Sequence, residues 1–461
     1  MEIDTLIGEQ NPQWSDEKYL PVENSWFKRG AYSEVNHWLD KRFIITLTGL
    51  RRVGKSTILR QIMSNLILKG KRKECFYFSF EKFQAKRDPE ILKRIIQYYF
   101  DFVLIKKSYQ ISEKIYIFLD EVQYIPYWQD VIKFFYDQNE NFKFIVTGSN
   151  SLFVQKKSLE SLAGRIIDIK ITPLLFKEYL SLVNPDYKID IKNDLWISAN
   201  KNIINGYFEK YLRFGQFPEA IYQKLNNSDT KKYLESIENK ITQEDLPKTF
   251  TIEHPQILMA IINQIKKQPG QIIEYQNIAS QVGLDQRTLA NYFGYLEKVF
   301  LISLCYNFGK KPIKAPRISK KAYLVSSNFA TEAPMPSLVE NYIFNYLKIK
   351  FPGVYFNKDK EIDFIAVKDE KNYLFEVKYQ NEINSSDSKN IKAFLKVNKA
   401  VKSFLITKDK FDLKKPIDQI PASLIEFLPI ARFSLGLGKN IWNRIDAIEY
   451  VKKERESWDK K

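Results

Sequence analysis

The sequence predicts an α/β fold in three successive units, and three observations carry that reading. A short β-rich apolar run, "FIITLT" (43–48), opens into a glycine-bounded basic loop and continues at helical period. Between 255 and 300, two amphipathic helical segments meet at Gly283. Beyond 335, an amphipathic helix precedes two alternating strands joined by a short polar turn. A chain of 461 residues is long enough to bury more than one core.

Composition narrows the function classes. The formal net charge of +17 favours a polyanionic partner, nucleic acid before a membrane surface, although a lysine-rich composition alone gives the same sign. Two cysteines, Cys75 and Cys305, both in apolar runs, allow no disulfide framework or zinc spacing, and two histidines allow no histidine-rich metal site. No apolar run approaches the roughly 18 residues of a membrane span. The N-terminus lacks the basic-then-apolar order of a secretory signal, so a reducing, cytoplasmic setting is expected.

The first unit centres on Gly49, Leu50, Arg51, Arg52, Val53, Gly54, Lys55, Ser56 and Thr57, which hold the full G-x-x-x-x-G-K-S spacing between strand and helix. The glycines let the backbone turn its N–H groups toward a phosphate, and the following helix adds its positive dipole end. Lys55 would reach the β- and γ-phosphates, with Ser56 offering its hydroxyl to Mg²⁺. "KIYIFLDEVQYI" supplies the partner element, an apolar strand ending in Asp120 and Glu121. Asp120 is expected beside the metal and Glu121 beside the water that attacks the γ-phosphate. "FKFIVTGSNS" delivers Thr147, Ser149 and Asn150 to the same sheet edge, as phosphate sensors or as a plain helix cap. Arg165 follows a helical stretch and precedes a strand, where it is either an arginine finger, in cis or from a neighbouring subunit, or a structural arginine. No guanine-specific N/T-K-x-D motif is present, which selects ATP.

At this point the chain resembles the archaeal and bacterial AAA-type ATPases that carry a C-terminal nuclease-like domain. "GLRRVGKST", "FLDEVQ", "TGSNS", "SLAGR", "PLLFKEYL", "YLRFGQFPEAI" and "ITQEDL" occur in that order, and the resemblance spans roughly residues 25 to 430. It implies an ATPase with Mg²⁺ as cofactor and a winged helix ahead of the last domain; homo-oligomerisation is compatible with it. Where the family usually shows an aspartate, this chain has Ser326.

The second unit reads as a winged helix-turn-helix. Gly283 supplies the positive φ of the turn and Asp285 caps a helix running to about Lys298. In a DNA reader that helix would present Gln286, Arg287, Asn291 and Tyr292, followed by six basic residues between Lys310 and Lys321 able to meet phosphates. The alternative is a packing or dimerisation module.

In the third unit, "EIDFIAV" carries Asp363 and "YLFEVKY" carries Glu376 and Lys378, which share a strand face because they are two apart. With helical Glu340 upstream, the D…E-x-K set resembles the PD-(D/E)xK fold of restriction enzymes and junction resolvases. That resemblance implies Mg²⁺ on Glu340, Asp363 and Glu376, with Glu376 and Lys378 catalytic in DNA cleavage. The bland alternative is an ion pair.

The expected architecture is therefore a P-loop NTPase parallel sheet (25–200), a helical lid (201–250), a winged helix (251–325), a restriction-endonuclease-like α/β domain (330–430) and a tail (431–461). The expected activity is Mg²⁺-dependent ATP hydrolysis coupled to DNA binding or processing. The competing reading is an ATP-switched DNA-binding or scaffold protein whose nuclease fold is silent.

Overall fold

A computed structural model describes residues 3–81, 88–148, 162–309, 319–413 and 416–428. Ser149, Asn150 and the basic run 310–318 lie outside the described residues. The front of the chain builds a parallel sheet from β1 (Ile44–Thr48), β2 (Cys75–Ser79), β3 (Ile115–Asp120), β4 (Phe142–Gly148) and β5 (Ile166–Lys170), in the order β2-β3-β4-β1-β5. β1, β3 and β4 are buried at every position. Both faces of the sheet are covered, which is why these strands run apolar without alternation.

One apolar cluster fills the face lined by Phe76, Phe78, Ile117 and Phe144, against the helices Pro89–Tyr98 and Trp128–Gln138. The other face, lined by Leu47, Tyr77 and Phe118, belongs to a larger cluster that continues through the helix Asp194–Phe214 to Phe375 and Leu428. The front and back of the chain thus share a continuous core. At the sheet's amino edge, Lys143 is buried, and its ammonium donates to the carbonyls of Trp38, Lys41 and Phe43 at 2.7, 2.8 and 2.6 Å. It closes the C-terminal end of the helix Gly30–Leu39, where a cation is favoured by the helix dipole.

The two helices expected on either side of Gly283 are present. The helix Tyr275–Val282 ends at Gly283 with φ +68°, and Asp285 accepts from Arg287 N and Thr288 N to start the helix Gln286–Lys298. Tyr292 is a correction. It is buried, and its hydroxyl accepts from His254 N at 2.8 Å, so it packs the core rather than facing outward. Gln286, Arg287 and Asn291 are exposed.

The remaining strands are β6 (Ile272–Ile273), β7 (Ile302–Asn307), β8 (Lys320–Leu324), β9 (Gly353–Asn357), β10 (Ile362–Lys368), β11 (Lys371–Lys378), β12 (Lys402–Thr407) and β13 (Ile417–Pro421). They form a single sheet ordered β13-β12-β11-β10-β9-β7-β8-β6. The segments expected as separate winged-helix and C-terminal units are joined by parallel pairing of β7 with β9, Tyr306 opposite Tyr355. β10 and β11 are the expected hairpin, turning through Asp369 and Glu370 at φ +49° and +59°, the left-handed pair that a tight hairpin needs.

Ser326 lies in a buried seam. Its hydroxyl donates to Gln216 Oε1 at 2.6 Å, Gln216 N donates to Asn328 Oδ1, and Asn328 Nδ2 returns to the Tyr211 and Leu212 carbonyls. The end of the helix Asp194–Phe214 is thereby satisfied from the C-terminal half.

Lys143→Met removes three hydrogen bonds donated by a buried ammonium and is expected to lower unfolding free energy by about 2 kcal/mol. Urea denaturation measures it, and an unchanged midpoint would show that the three carbonyls find other donors.

Candidate functional site: a phosphate loop and an acidic cluster

The loop after β1 is fixed by sterics and by burial. Gly49 takes φ +147°, and a Cβ there would lie 2.1 Å from Ile171 O, so no larger residue fits. Arg52 and Gly54 take φ +66° and +96°. Leu50 and Val53 are buried anchors that hold the curl from below. Lys55 starts the helix Lys55–Leu68 and folds back to donate to Gly49 O and Leu50 O at 3.2 and 3.1 Å. Lys55, Ser56 and Thr57 line a cavity with Arg51, Arg52 and Glu121.

Three hydroxyls converge on Asp120 at the end of β3. Ser56 Oγ donates to Oδ1 at 2.9 Å, Thr147 Oγ1 donates to the same oxygen, and Tyr77 OH donates to Oδ2 at 2.9 Å. Burial, with Glu121 adjacent, pushes the Asp120 carboxyl up, while the three donors oppose that shift. Hydroxyl and carboxylate oxygens are the hard donors that Mg²⁺ takes, so Ser56 and Asp120 suit the ion by chemistry. Glu121 sits in left-handed backbone at φ +55°, unusual for a non-glycine, and its N–H donates to Thr147 Oγ1 at 3.0 Å. Gln123 Nε2 donates to its carboxylate.

The loop's own arginine, Arg51, lies between acids, 3.4 Å from Asp245 and 3.4 Å from Glu81. Asp245 belongs to the "ITQEDL" segment, so the loop touches the helical lid directly. On the cavity's other wall, the rings of Trp26 and Tyr222 stack with centroids 4.9 Å apart, and Phe27 N donates to Tyr222 OH. Sequence reasoning missed Tyr77, Trp26 and Tyr222. A tyrosine on the strand next to β3 was the available signal for the first, and nothing local marked the other two.

For Arg165 the structure speaks against a finger acting in cis. Arg165 precedes β5, whose Ile166 pairs with Ile44, and its carbonyl accepts from Ile44 N at 2.8 Å. The phosphate loop leaves the opposite end of β1, so Arg165 is remote from the loop of its own chain and pairs with Asp137 instead.

The C-terminal set does gather. Asp363 N approaches Glu376 Oε2 at 3.5 Å, Val377 N donates to Asp363 Oδ2 at 2.9 Å, and Lys378 Nζ lies 3.0 Å from Glu376 Oε1. Glu340 joins from the helix Met335–Lys350, but its Oε1 accepts from Lys321 Nζ at 2.9 Å and from Tyr323 OH at 2.7 Å. Lys321 also stands 3.8 Å from Asp363. Among the described residues no group of three or more His, Cys, Asp or Glu side chains is arranged to hold a metal ion. Glu340, Asp363 and Glu376, the expected metal set, lie together here with Lys321 and Lys378 among them. Lys321 and Lys378 supply the positive charge, and amides and hydroxyls take much of the remaining oxygen capacity. Burial, together with Glu340 and Glu376, still pushes the Asp363 carboxyl up to about 7. Lys320 and Lys321, counted by sequence among phosphate-facing basic residues, point inward on β8.

The parallel sheet and the glycine-bounded loop between β1 and the helix Lys55–Leu68 give the front of the chain a P-loop arrangement. Residues 41–180 match a family model described as "AAA domain", and residues 205–330 and 336–431 match two models described as domains of unknown function, DUF8612 and DUF4143. An uncharacterized protein of Haemophilus influenzae is 25% identical over 80% of this chain and 90% of its own. An uncharacterized protein of Methanocaldococcus jannaschii, MJ1637, is 29% identical over 62% of this chain and 61% of its own. Among solved structures, the Walker-type ATPase PABY2304 of Pyrococcus abyssi aligns with 69% of this chain and 99% of its own, at 17% identity and a TM-score of 0.41. Among the described residues no helix is long and apolar enough to cross a membrane.

Tyr77→Phe leaves Asp120 Oδ2 without its donor in a buried setting. ATP turnover is expected to fall about tenfold, the size of one lost hydrogen bond to a charged group. Steady-state kinetics check this, and an unchanged rate removes Tyr77 from the site.

Proposed function

We propose that the protein is an ATP-binding and ATP-hydrolysing switch whose nucleotide state sets how its C-terminal body holds DNA, with the acidic cluster serving structure rather than cleavage. The observation that carries the reading is the joint hold of Ser56, Thr147 and Tyr77 on Asp120 at the mouth of an intact phosphate loop.

The triphosphate lies along residues 49–57, with Lys55 meeting the β- and γ-phosphates. Ser56 and Asp120 would hold a Mg²⁺ ion, which supplies neutralisation of charge between the phosphates. Glu121 accepts the proton of the attacking water. The water oxygen bonds to the γ-phosphorus, the bridging bond to ADP breaks, and phosphate leaves. The left-handed backbone of Glu121 and the hold of Gln123 on its carboxylate fix that base in one orientation. The stacked Trp26 and Tyr222 offer a flat wall for the base.

Support for DNA is electrostatic and geometric. The chain carries +17, and Gln286, Arg287 and Asn291 stand exposed on the second helix of the helix-turn-helix pair. Support for a silent acidic cluster is the commitment of its oxygens to Lys321, Lys378, Tyr323 and backbone amides. Processing of DNA by metal-dependent cleavage is the reading that this arrangement disfavours.

Lys55→Ala is expected to abolish ATP binding, and Glu121→Gln to retain binding while hydrolysis falls by about two to three orders of magnitude, the usual scale for a lost transition-state contact. Full turnover by Lys55→Ala would sink the ATPase half. For DNA, log affinity should fall linearly with log salt, and Arg287→Ala should reduce affinity at every salt concentration. Salt-insensitive binding, or none, overturns the DNA half. Plasmid incubated with the protein and Mg²⁺ or Mn²⁺, with or without ATP, should stay intact; nicking lost in Glu376→Ala would make the cluster an active nuclease.

A further inference from the structure

We propose that Glu426, near the far end of the described chain, is a positioning residue for the phosphate loop, acting through the helix Phe176–Val183 and the buried Arg29–Glu178 pair. This rests on the ATPase reading above and deepens it, because it makes the C-terminal body part of the nucleotide site.

The contacts begin at the loop. Arg29 Nη1 donates to Val53 O at 2.8 Å and to Thr172 O at 3.0 Å. Its Nε and Nη2 grip both oxygens of Glu178 at 3.1 and 2.7 Å, a two-pronged geometry that lysine could not reproduce. Both side chains are 9% exposed. Glu178 lies in the first turn of the helix Phe176–Val183 and also accepts from Leu175 N and Gly30 N. The carbonyl that precedes Gly54 is thus fixed by a guanidinium whose own position is set by this helix.

Glu426 holds the same helix start from the opposite side. Phe176 N donates to its Oε1 at 2.9 Å and Lys177 N to its Oε2 at 3.0 Å. Tyr342 OH donates to Oε1 at 2.9 Å, and Tyr342 lies two residues from Glu340 on the helix Met335–Lys350. The rings of Phe176 and Tyr342 each meet Phe208 with centroids 5.1 Å apart, so no gap separates the two bodies that could absorb a shift.

Two carboxylates therefore share one helix terminus. Burial opposes the charge of Glu178, but Arg29 and the amides outweigh it and hold the carboxyl below its usual range. Burial pushes the Glu426 carboxyl up, its amide and hydroxyl partners oppose this, and Glu178 adds repulsion. The negative charge of Glu426 is favoured while Arg29 neutralises Glu178. A phosphate loop that moves Val53 O on filling loosens or tightens Arg29, which changes the repulsion between the two glutamates. The hold of Glu426 on the helix, and of Tyr342 on Glu426, changes with it. A line of contacts becomes coupling only where both ends bias one element, and that element here is the helix Phe176–Val183.

The test uses the full chain with a non-hydrolysable ATP analogue. In the unsubstituted protein, analogue binding should alter hydrogen exchange in 335–350 as well as in the phosphate loop. In Glu426→Gln, which can no longer accept from both amides as a carboxylate, kcat/KM for ATP should fall about tenfold. The exchange response at 335–350 should vanish at a temperature where the variant is still fully folded by circular dichroism. Tyr342→Phe, which keeps the ring and removes one hydroxyl, should also lose the response at 335–350 and provides the readout if Glu426→Gln does not fold. Parent-like kinetics and exchange in both variants overturn the inference and leave the ATPase reading standing. An unsubstituted protein that binds no analogue overturns both.

Discussion

The Arg29–Glu178 pair is the constraint on which most of the architecture turns. A guanidinium buried among the Val53, Thr172 and Pro173 carbonyls must have a counter-charge, and Glu178 is the one it grips. Loss of either partner would leave an uncompensated buried charge, a defect of about 3–5 kcal/mol. The pair ties together the segment before the first sheet, the phosphate loop and the helix that follows β5. The phosphate loop is therefore held from outside its own strand-to-helix unit, and its shape depends on groups more than a hundred residues away.

The second constraint is the single eight-stranded sheet. Pairing of β7 with β9 fixes the helix-turn-helix pair to the strands that carry Asp363 and Glu376. The exposed Arg287 face and the acidic cluster are thereby carried on the same sheet-bearing part of the chain. The seam at Gln216, Ser326 and Asn328 adds buried hydrogen bonds between the helix that ends at Phe214 and the strand ending at Leu324. Such bonds cost more to break than to keep, because the freed groups have no water.

Local signals in the sequence were reliable and distant ones were silent. The phosphate loop, Asp120 with Glu121, the turn at Gly283, the cap at Asp285 and the hairpin carrying Glu376 all depend on spacing within about ten residues, where periodicity and turn chemistry act. Tyr292 was misassigned although Leu289, Tyr292, Phe293 and Leu296 stand at i, i+3, i+4 and i+7, the spacing of one buried helix face; its hydroxyl then meets His254 N. For Arg165 the sequence left a finger in cis open because a strand has two ends, and the residue count does not say which end meets the loop; the register with Ile44 does. Arg29, Tyr77 and Lys321 carry no local motif. Their roles arise from contacts made across the fold, as when Tyr77 reaches Asp120 from the neighbouring strand.

The acidic cluster shows what such a motif does and does not determine. Asp363 opposite Glu376 on a buried hairpin, with Glu340 beside them, sets up a demand for positive charge, since clustered carboxylates in low dielectric repel one another. The D…E-x-K spacing encodes that demand but not its source. One answer is a divalent cation. Here Lys378 meets Glu376, and Lys321, from a strand that the motif does not include, meets Glu340 and stands near Asp363. Tyr323, on the same strand as Lys321, gives Glu340 a second donor. Because β8 also carries the link to the helix-turn-helix pair, the groups that neutralise the cluster also join the two parts of the C-terminal body. The cluster therefore has a structural reason to persist whether or not an ion ever enters it.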